Sequence, residues 1–389
     1  MNKGTLIYSA TTFKDGLGGH YRSLLSIASA SKKFGYDVCV INFGKTENKL
    51  FITSEIPIIN IDISESEREI LLHLRSLSIL SDYYTIHCFD TGSFYYLSKV
   101  SKRIILTKCG GRNPRYFYPY SRYLTVFSEE DYVFFTKNKR YSSSCIKMIS
   151  NRVESFDVDY EKIDLLRNRM RIQPDDFVIL KISRITNYYF EHLKQAVELK
   201  KAVKRDNVKL LIVGAAHELD VFDKLNRIAG DNKDITIITE DYFTKNAKDI
   251  LGICNLYIGS GRSLMEATSL GLPVATHVSN GNIPVLVDTE NYLEFLRTNF
   301  SGRSQHFSND ATRINTIVDI IDNLESRKTS SYISNEIFKT HFSIEAAFAK
   351  YLSLYEKVFH GQDNEISYLE KLLFKIYIKN KLKKEMKGI

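Results

Sequence analysis

The stretch GSGRSLMEATSLGLPVA, residues 259–275, places small residues and one cation directly before an apolar segment. Glycines let an anion approach the backbone closely, and amides at a helix N-terminus form an anion site together with the helix dipole. Arg262 adds a planar cationic fork that suits phosphate oxygens. The residues at this turn that would hold a phosphate are Gly261, Arg262, Ser263 and Leu264. The spacing therefore predicts a diphosphate site.

Glu266 follows the cation by one helical turn. A carboxylate would repel a phosphate, so its predicted role is recognition of a hydroxyl pair such as a ribose diol. A purely structural interpretation stays open for both features. A strand-to-helix turn uses glycine for its geometry alone, and an acidic residue near a helix N-terminus stabilises the helix dipole without a ligand.

Two further groups of residues have the chemistry of a site. His87 ends the strand-like run YTIHCFD and is a candidate catalytic residue, although a buried structural histidine fits the same pattern. The loop GGRNPRYFYPYSRY interleaves Arg112 and Arg115 with aromatic residues. We expect it to contact a sugar or lipid-phosphate acceptor, and an ordinary packed aromatic loop is the alternative.

The elements that must position these residues alternate strand-like runs with helical segments, which indicates parallel βαβ construction. The first series of strand-like runs is GTLIYSA, YDVCVINFG, IPIINIDI, YYTIHCFD and KRIILTKC, and the second is DFVILKIS, VKLLIVGA, DITIITE, NLYIGS and LPVATHV. We predict two Rossmann-like doubly wound domains, residues 1–165 and 166–345, facing across a cleft. Residues 346–389 are predicted to form C-terminal helices that cross back to the first domain.

Composition is that of a folded globular protein, with 43% hydrophobic and 26% charged residues among 389. The five cysteines are scattered without a metal-ligand spacing, which favours a reducing cytoplasm. No apolar run reaches the roughly 18 residues of a membrane span. The sequence thus predicts a cytoplasmic protein.

The net charge of +8 is concentrated at the C-terminus. Residues 366–389 are predicted to form a basic amphipathic helix. Its apolar positions are Leu369, Leu372, Leu373, Ile376 and Leu382, and its lysines are Lys371, Lys375, Lys379, Lys383 and Lys384. Such a helix would bind the inner face of an anionic membrane peripherally. A terminal helix that packs on the body of the protein fits equally well.

With these motifs, the chain resembles the GT-B glycosyltransferases, specifically the retaining, nucleotide-sugar-dependent family 4 type that builds bacterial surface polysaccharides. NLYIGSGRSLMEATSLGLPVATHVSNG resembles the donor-site segment of that family, and Glu266 matches its second conserved glutamate, which implies ribose binding. GLGGHYRSL resembles the glycine-rich donor loop, with Gly18 and Gly19 at the matching positions. VILKISRI followed by LLIVGAA places Arg184 at the diphosphate-binding arginine.

The resemblance also implies a position for the nucleobase, near Thr239 and Glu240 in ITEDYF. The chain departs from the family pattern at three places. Ile258 occupies the position of the first family glutamate, aromatic residues replace the lysine that follows the arginine, and LTKCGGRNPRYFYP lacks a histidine that many members carry. Catalysis would then depend on Arg184 and Arg262, which stabilise the departing diphosphate without a metal or other cofactor.

The expected reaction is transfer of a sugar from a nucleoside-diphosphate sugar, with UDP as the favoured nucleotide, to a glycan or lipid-linked acceptor. A polyol-phosphate transferase, a nucleotide-sugar epimerase or a catalytically degenerate scaffold subunit of the same fold are the alternatives. Nucleic acid is not an expected partner because the basic residues do not collect on one recognition element.

Overall fold

The computed structural model describes residues 4–13, 16, 18–80 and 84–387, and the side chains of 382–387 are outside the description. The chain forms two compact units, Met1–Arg152 with Ile344–Ile389, and Val153–Ser343. Each unit is an α/β layer structure with a mainly parallel sheet, which confirms the predicted fold class.

The first unit contains a seven-stranded, wholly parallel sheet. Its strands are β1 (Thr5–Thr12), β2 (Asp37–Gly44), β3 (Ile58–Ile61), β4 (Tyr84–Cys88), β5 (Ile104–Lys108), β6 (Tyr123–Val126) and β7 (Cys145–Met148), in the order β3-β2-β1-β4-β5-β6-β7. Its first five helices are α1 (Gly19–Lys33), α2 (Lys49–Ile52), α3 (Glu67–Ser76), α4 (Thr91–Leu97) and α5 (Glu129–Lys137). The short strands β6 and β7 were not among the predicted runs.

Alternate residues of β1 enter different cores, as the two-residue period of a strand requires. Leu6 and Tyr8 belong to the cluster on one face of the sheet, and Ile7 belongs to the cluster on the other. Because both faces of the sheet are covered, its strands are short runs rich in apolar and β-branched residues, which makes them recognisable in the sequence.

The second unit contains a six-stranded sheet in the order β10-β9-β8-β11-β12-β13. Its strands are β8 (Phe177–Ile182), β9 (Val208–Val213), β10 (Ile235–Ile238), β11 (Leu256–Gly259), β12 (Val274–Thr276) and the antiparallel β13 (Val285–Leu286). Its helices are α6 (Tyr160–Met170), α7 (Phe190–Ala202), α8 (Leu219–Ala229), α9 (Asp241–Thr244), α10 (Gly261–Ser269), α11 (Tyr292–Arg297), α12 (Asp310–Asp322) and α13 (Leu324–Ile337).

The C-terminal segment contributes α14 (Ile344–His360) and α15 (Tyr368–Lys387) to the first unit. Helix α14 buries Tyr351, Leu354 and Tyr355 in the same core as β1. Among the described residues, no helix combines the length and the apolar character that crossing a membrane would need.

The division after Arg152 differs from the boundary predicted at residue 165. The predicted boundary divides the segment 160–170, which folds as the single helix α6 and packs its apolar side into the second unit. Ile163 and Leu166 are buried there with Val153 and Leu180. Helix α6 is therefore part of the second core and does not link two domains.

Candidate functional site

The two central strands of the second sheet define a topological switch point. The chain continues from β8 to β9 on one side, and β11 pairs with β8 on the other. Open parallel sheets bind ligands outside the carboxyl ends of the two strands at such a point. Arg184 follows β8 and the turn Ser260–Ser263 follows β11, so the predicted cation and the predicted helix N-terminus meet the same edge of the sheet.

The turn into α10 requires glycine at two places for different reasons. A Cβ on Gly259 would lie 2.1 Å from the ring of Tyr257, so packing excludes any side chain there. Gly261 has a φ of +56°, and a Cβ on it would meet nothing within 4 Å. The second glycine is therefore needed for its left-handed backbone, and the space above it is open.

The backbone amide of Gly261 already donates a hydrogen bond within the protein. It donates to the carbonyl oxygen of Phe300 at 2.7 Å, so the predicted phosphate cradle loses its first backbone donor. The amides of Arg262 and Ser263 come next in the first turn, where a helix has no intrahelical acceptor for them. Leu264 is fully buried in the core and can reach a ligand only through its backbone.

Arg262 and Glu266 form an ion pair on the surface of α10. The guanidinium Nε lies 3.0 Å from Oε1 of the carboxylate, and the two side chains are 19% and 13% exposed. The pair uses the helical i,i+4 spacing, and the Arg262 fork has further N–H donors beyond Nε. Glu266 is therefore not sealed in the interior, and it is held beside the cation that was expected to bind phosphate.

Arg184 is exposed in the loop after β8. Its Nη2 donates to the hydroxyl of Tyr189 at 3.2 Å, and its guanidinium lies 5.4 Å from the centroid of that ring. Tyr189 belongs to the aromatic segment that replaces the family lysine, so that segment orients the remaining cation. The loop after β8 lies in close contact with the loop after β9. A Cβ on Gly214, in the second of these loops, would lie 1.7 Å from the carbonyl oxygen of Ser183 in the first.

Thr239 and Glu240 follow β10, at the same edge of the sheet but at its outer strand. Glu240 is exposed and forms an ion pair with Arg169. Hydrogen bonds from the backbone and the nearby Arg169 lower the pKa of this carboxyl below its usual value. Thr239 is half-buried. Both residues lie at the carboxyl edge of the second sheet, and their contact with a nucleobase stays a prediction.

The predicted residues of the first unit also lie at a carboxyl edge. The order of its sheet reverses between β1 and β4, and Gly18 is the N-cap residue of α1, the helix that follows β1 in the chain. Gly19 is exposed, and a Cβ on it would meet nothing within 4 Å. Arg112 and Arg115 are exposed in the loop after β5, while Phe117 of the same loop packs into the core.

His87 does not fit the catalytic role predicted for it. Its ring is 1% exposed, with Nδ1 3.0 Å from the hydroxyl of Tyr355 and Nε2 2.6 Å from Oγ1 of Thr107. Burial, with a smaller effect of Arg152, holds its pKa well below the usual value. The structure corrects this prediction, because a histidine whose two nitrogens are both engaged in the core cannot exchange protons with a substrate.

Ile258, which occupies the position of the missing glutamate, is fully buried in β11. A carboxylate at this position would face the core of the second unit. The sequence reasoning also missed a buried basic group beside the switch point, formed by Lys181, His192 and His277. Its one sequence signal was a lysine inside the apolar run VILKIS.

Residues 162–302 match a family model described as "Glycosyl transferases group 1". This range contains Arg184, the turn into α10 and Glu266. No curated protein matches the chain in sequence.

Solved structures resemble nearly the whole chain at low sequence identity. A glycosyltransferase from Rickettsia africae ESF-5 has a TM-score of 0.68 at 16% identity, covering 93% of this chain and 100% of its own. Alr3699/HepE from Anabaena in complex with UDP has a TM-score of 0.65 at 15% identity, covering 91% and 100%. A putative UDP-N-acetylglucosamine 2-epimerase from Listeria monocytogenes has a TM-score of 0.56 at 15% identity, covering 94% and 99%.

These matches show the GT-B fold in the chain and a glycosyl transferase group 1 domain in its second unit. The chain is a glycosyltransferase.

Proposed function

We propose that the protein transfers a hexose-type sugar from a nucleoside-diphosphate sugar, with UDP as the nucleotide, and retains the anomeric configuration. The observation that carries the proposal is the placement of Arg184 and of the Arg262–Glu266 pair after the two strands of the switch point. The acceptor is a glycan or a lipid-linked glycan of a bacterial surface polysaccharide. The solved complex of Alr3699/HepE with UDP supports the choice of nucleotide.

In this proposal the second unit binds the donor. Arg184 and Arg262 pair with the diphosphate, the Ser263 amide adds a donor at the helix N-terminus, and Glu266 accepts from the ribose hydroxyls. Bond cleavage leaves negative charge on the diphosphate and positive character on the sugar carbon, so prearranged cations lower the barrier. The reaction proposed here needs no metal and no other cofactor.

The first unit carries the other residues that this proposal uses. Gly18 and Gly19 bring backbone amides to the donor from the start of α1, and Arg112 and Arg115 contact the acceptor from the loop after β5. Thr239 and Glu240 contact the nucleobase. The proposed location is the cytoplasm, where nucleotide sugars are available to the inner face of the membrane.

Binding of uridine and UDP separates the roles of the paired residues. We expect Arg262→Gln to weaken UDP binding roughly 10- to 100-fold, since a hydrogen bond to a charged group contributes about 1.5–3 kcal/mol, and to affect uridine far less. Glu266→Gln should weaken uridine and UDP by similar factors because the ribose is common to both. Titration calorimetry measures both ligands.

Arg205→Gln is the matched control. Arg205 forms an exposed ion pair with Asp322 in the same unit, before β9 and therefore at the opposite edge of the sheet. The Arg205→Gln substitution should leave UDP affinity unchanged. Equal losses for uridine and UDP in the Arg262 variant would contradict the diphosphate role. A wild-type protein that binds no nucleotide would support the scaffold alternative.

The epimerase alternative is favoured by one observation, the similarity to the Listeria protein. Product analysis distinguishes it from transfer. A transferase releases UDP slowly from UDP-glucose without an acceptor, whereas an epimerase changes the configuration at the sugar ring. We expect UDP release with the sugar configuration unchanged at every carbon other than the anomeric one.

We further propose that α15 binds an anionic membrane surface. Four apolar side chains of this helix are 42–64% exposed, namely Leu369, Leu372, Leu373 and Ile376. Exposed lysines flank them at positions 371, 375 and 379. Each lysine near an anionic leaflet contributes about 1 kcal/mol, and the leucines can insert at the headgroup boundary. Leu382, Lys383 and Lys384 lie outside the described side chains.

Sedimentation with lipid vesicles tests the membrane proposal. Vesicles containing phosphatidylglycerol should bind the protein, and pure phosphatidylcholine should bind it weakly. The double variant Leu372→Asp/Ile376→Asp should reduce binding at least tenfold, because it removes two insertions and adds two like charges.

Leu324→Asp is the control, since Leu324 is 57% exposed on a helix of the second unit. It should bind vesicles like the wild type. Unchanged binding by the double variant, or binding that does not depend on anionic lipid, would exclude the helix as the contact surface.

A further inference from the structure

A buried lysine lies directly beside the switch point of the second unit. Lys181 is in register with Ile258 of β11 on one side and with Ile212 of β9 on the other. Its side chain is 1% exposed. The ammonium Nζ lies 2.6 Å from Nε2 of His277, and among the described residues no carboxylate pairs with it.

The groups around Lys181 are bases as well. His277 follows β12, and its ring stacks on that of His192 from α7 with centroids 4.4 Å apart. Burial lowers the pKa of His277 well below its usual value, and burial with the nearby lysine lowers that of His192 to about 4. The Nδ1 atoms of both rings are buried without a hydrogen-bond partner. No acid in this group compensates a positive charge.

This arrangement is unfavourable for a charged lysine in the empty protein. A buried cation without a counter-ion is destabilised by the loss of hydration, and burial lowers the pKa of Lys181 to about 7. The neighbouring side chains in register, Ile258 and Ile212, supply no compensating charge. Lys181 would gain an anionic partner only if an anionic ligand bound at the carboxyl edge of the sheet.

The proposed diphosphate site follows the same strand that carries Lys181. Lys181 is the last residue but one of β8 and precedes Arg184 by three residues. Strands rise about 3.3 Å per residue, so the backbone of Lys181 lies on the order of 10 Å from that of Arg184. At this separation in a protein interior, a unit charge changes the affinity for an anion by roughly a factor of ten. Lys181 can therefore influence a ligand that it does not touch.

We propose that Lys181 is a buried electrostatic determinant of donor binding, whose ammonium stabilises the diphosphate through space. This inference rests on the proposed function, because it requires an anionic donor at the switch point. It adds a cation that compensates in part for the lysine absent after Arg184. His277 keeps the amine in place and remains neutral.

Proton uptake follows from this role. The anion favours the charged form of Lys181, so binding raises its pKa and draws a proton from solution at pH values above the pKa of the empty protein. Below about pH 6 the amine is charged in both states and affinity is constant. Affinity then falls as the pH rises through 7 and 8, and a tenfold total loss corresponds to a pKa difference of about one unit.

Titration calorimetry with UDP-glucose at about pH 6 to 8 tests the proposal. Both phosphates of UDP-glucose are diesters, so the ligand does not titrate in this range. Repeating each titration in buffers of different ionisation enthalpy measures proton uptake by the wild type directly. We expect uptake of about half a proton near pH 7.5, midway between a pKa of about 7 and one raised by about one unit. We expect Lys181→Met to remove the pH dependence and to weaken binding at pH 6 roughly tenfold.

Lys200→Met is the matched control, since Lys200 is also buried in this unit but pairs with Asp234 at 3.1 Å. It should bind UDP-glucose with the wild-type pH profile. Binding by the wild type without proton uptake would overturn the role of Lys181 and leave the proposed function intact, even if the methionine variant did not fold. Failure of the wild type to bind UDP-glucose at any pH would overturn the proposed function itself.

Discussion

At the residue scale, the pairing of Arg262 with Glu266 changes how the donor turn is understood. The two side chains were predicted to contact different parts of a nucleotide, and the structure joins them at 3.0 Å on one helix. A ligand phosphate at this turn would share the guanidinium with the carboxylate, because Nε bonds to Glu266 and a guanidinium carries five N–H donors in all. The ion pair thus holds the arginine in place before the ligand arrives.

Gly214 provides a sharp test of how the Arg184 loop is positioned. A Cβ at residue 214 would lie 1.7 Å from the carbonyl oxygen of Ser183, a backbone atom that cannot move without shifting the loop. We expect Gly214→Ala to lower the free energy of unfolding by about 1–3 kcal/mol and to weaken UDP binding. Urea unfolding and titration calorimetry measure the two effects.

Gly19→Ala is the comparison for stability. Gly19 is the first residue of α1, and a Cβ there would meet nothing within 4 Å. The free energy of unfolding should change by less than about 1 kcal/mol. A Gly214→Ala protein as stable as the wild type would show that the two loops are not held in contact as described.

At the element scale, α15 is apolar on two opposite sides. Phe374 and Ile378 are buried against the first unit, with Phe374 beside Phe94 and Tyr95 of α4. At 100° per residue these positions lie across the helix from the exposed Leu369 and Ile376. The sequence predicted the exposed side as the apolar stripe and missed the side that docks. The structure supports packing of the helix on the first unit, and membrane binding by the exposed side stays a prediction.

At the scale of the whole molecule, the first unit depends on the far end of the chain. Tyr355 of α14 bonds to Tyr8 of β1 at 2.9 Å, and Arg152 donates to Tyr351 at 2.7 Å. Arg152 is fully buried and lies 4.9 Å from the centroid of the Tyr351 ring. The second unit, in contrast, is formed by one continuous segment.

This difference predicts how the two units behave when each is produced as a separate fragment. We expect residues 153–343 alone to fold cooperatively and to bind UDP, because that segment holds its own cores and the proposed diphosphate contacts. Residues 1–152 alone should fail to fold, since they leave the surface that α14 covers exposed to water. Circular dichroism melting and titration calorimetry on the two fragments measure this. A folded 1–152 fragment would contradict the contribution assigned to α14.

Much of the fold could be predicted from the sequence because the signals are local. Buried parallel strands such as β1 and β8 are short runs rich in apolar and β-branched residues, and the turn into α10 has glycine at the two positions where packing or a positive φ favours it. Short elements escaped prediction. Strand β7 is half-buried throughout, and β13 has two residues, so neither leaves a periodic pattern.

The sequence by itself determined the two βαβ series, the glycine turn and the cation that follows it, because backbone geometry and hydrophobic periodicity act between near neighbours. Only the tertiary structure decided which of these groups are available. The Phe300 carbonyl takes the Gly261 amide, the core encloses His87, and Lys181 is left without a counter-ion among the residues described. Each outcome depends on residues far apart in the chain, and the energetic consequence of burial appears only when those residues come together.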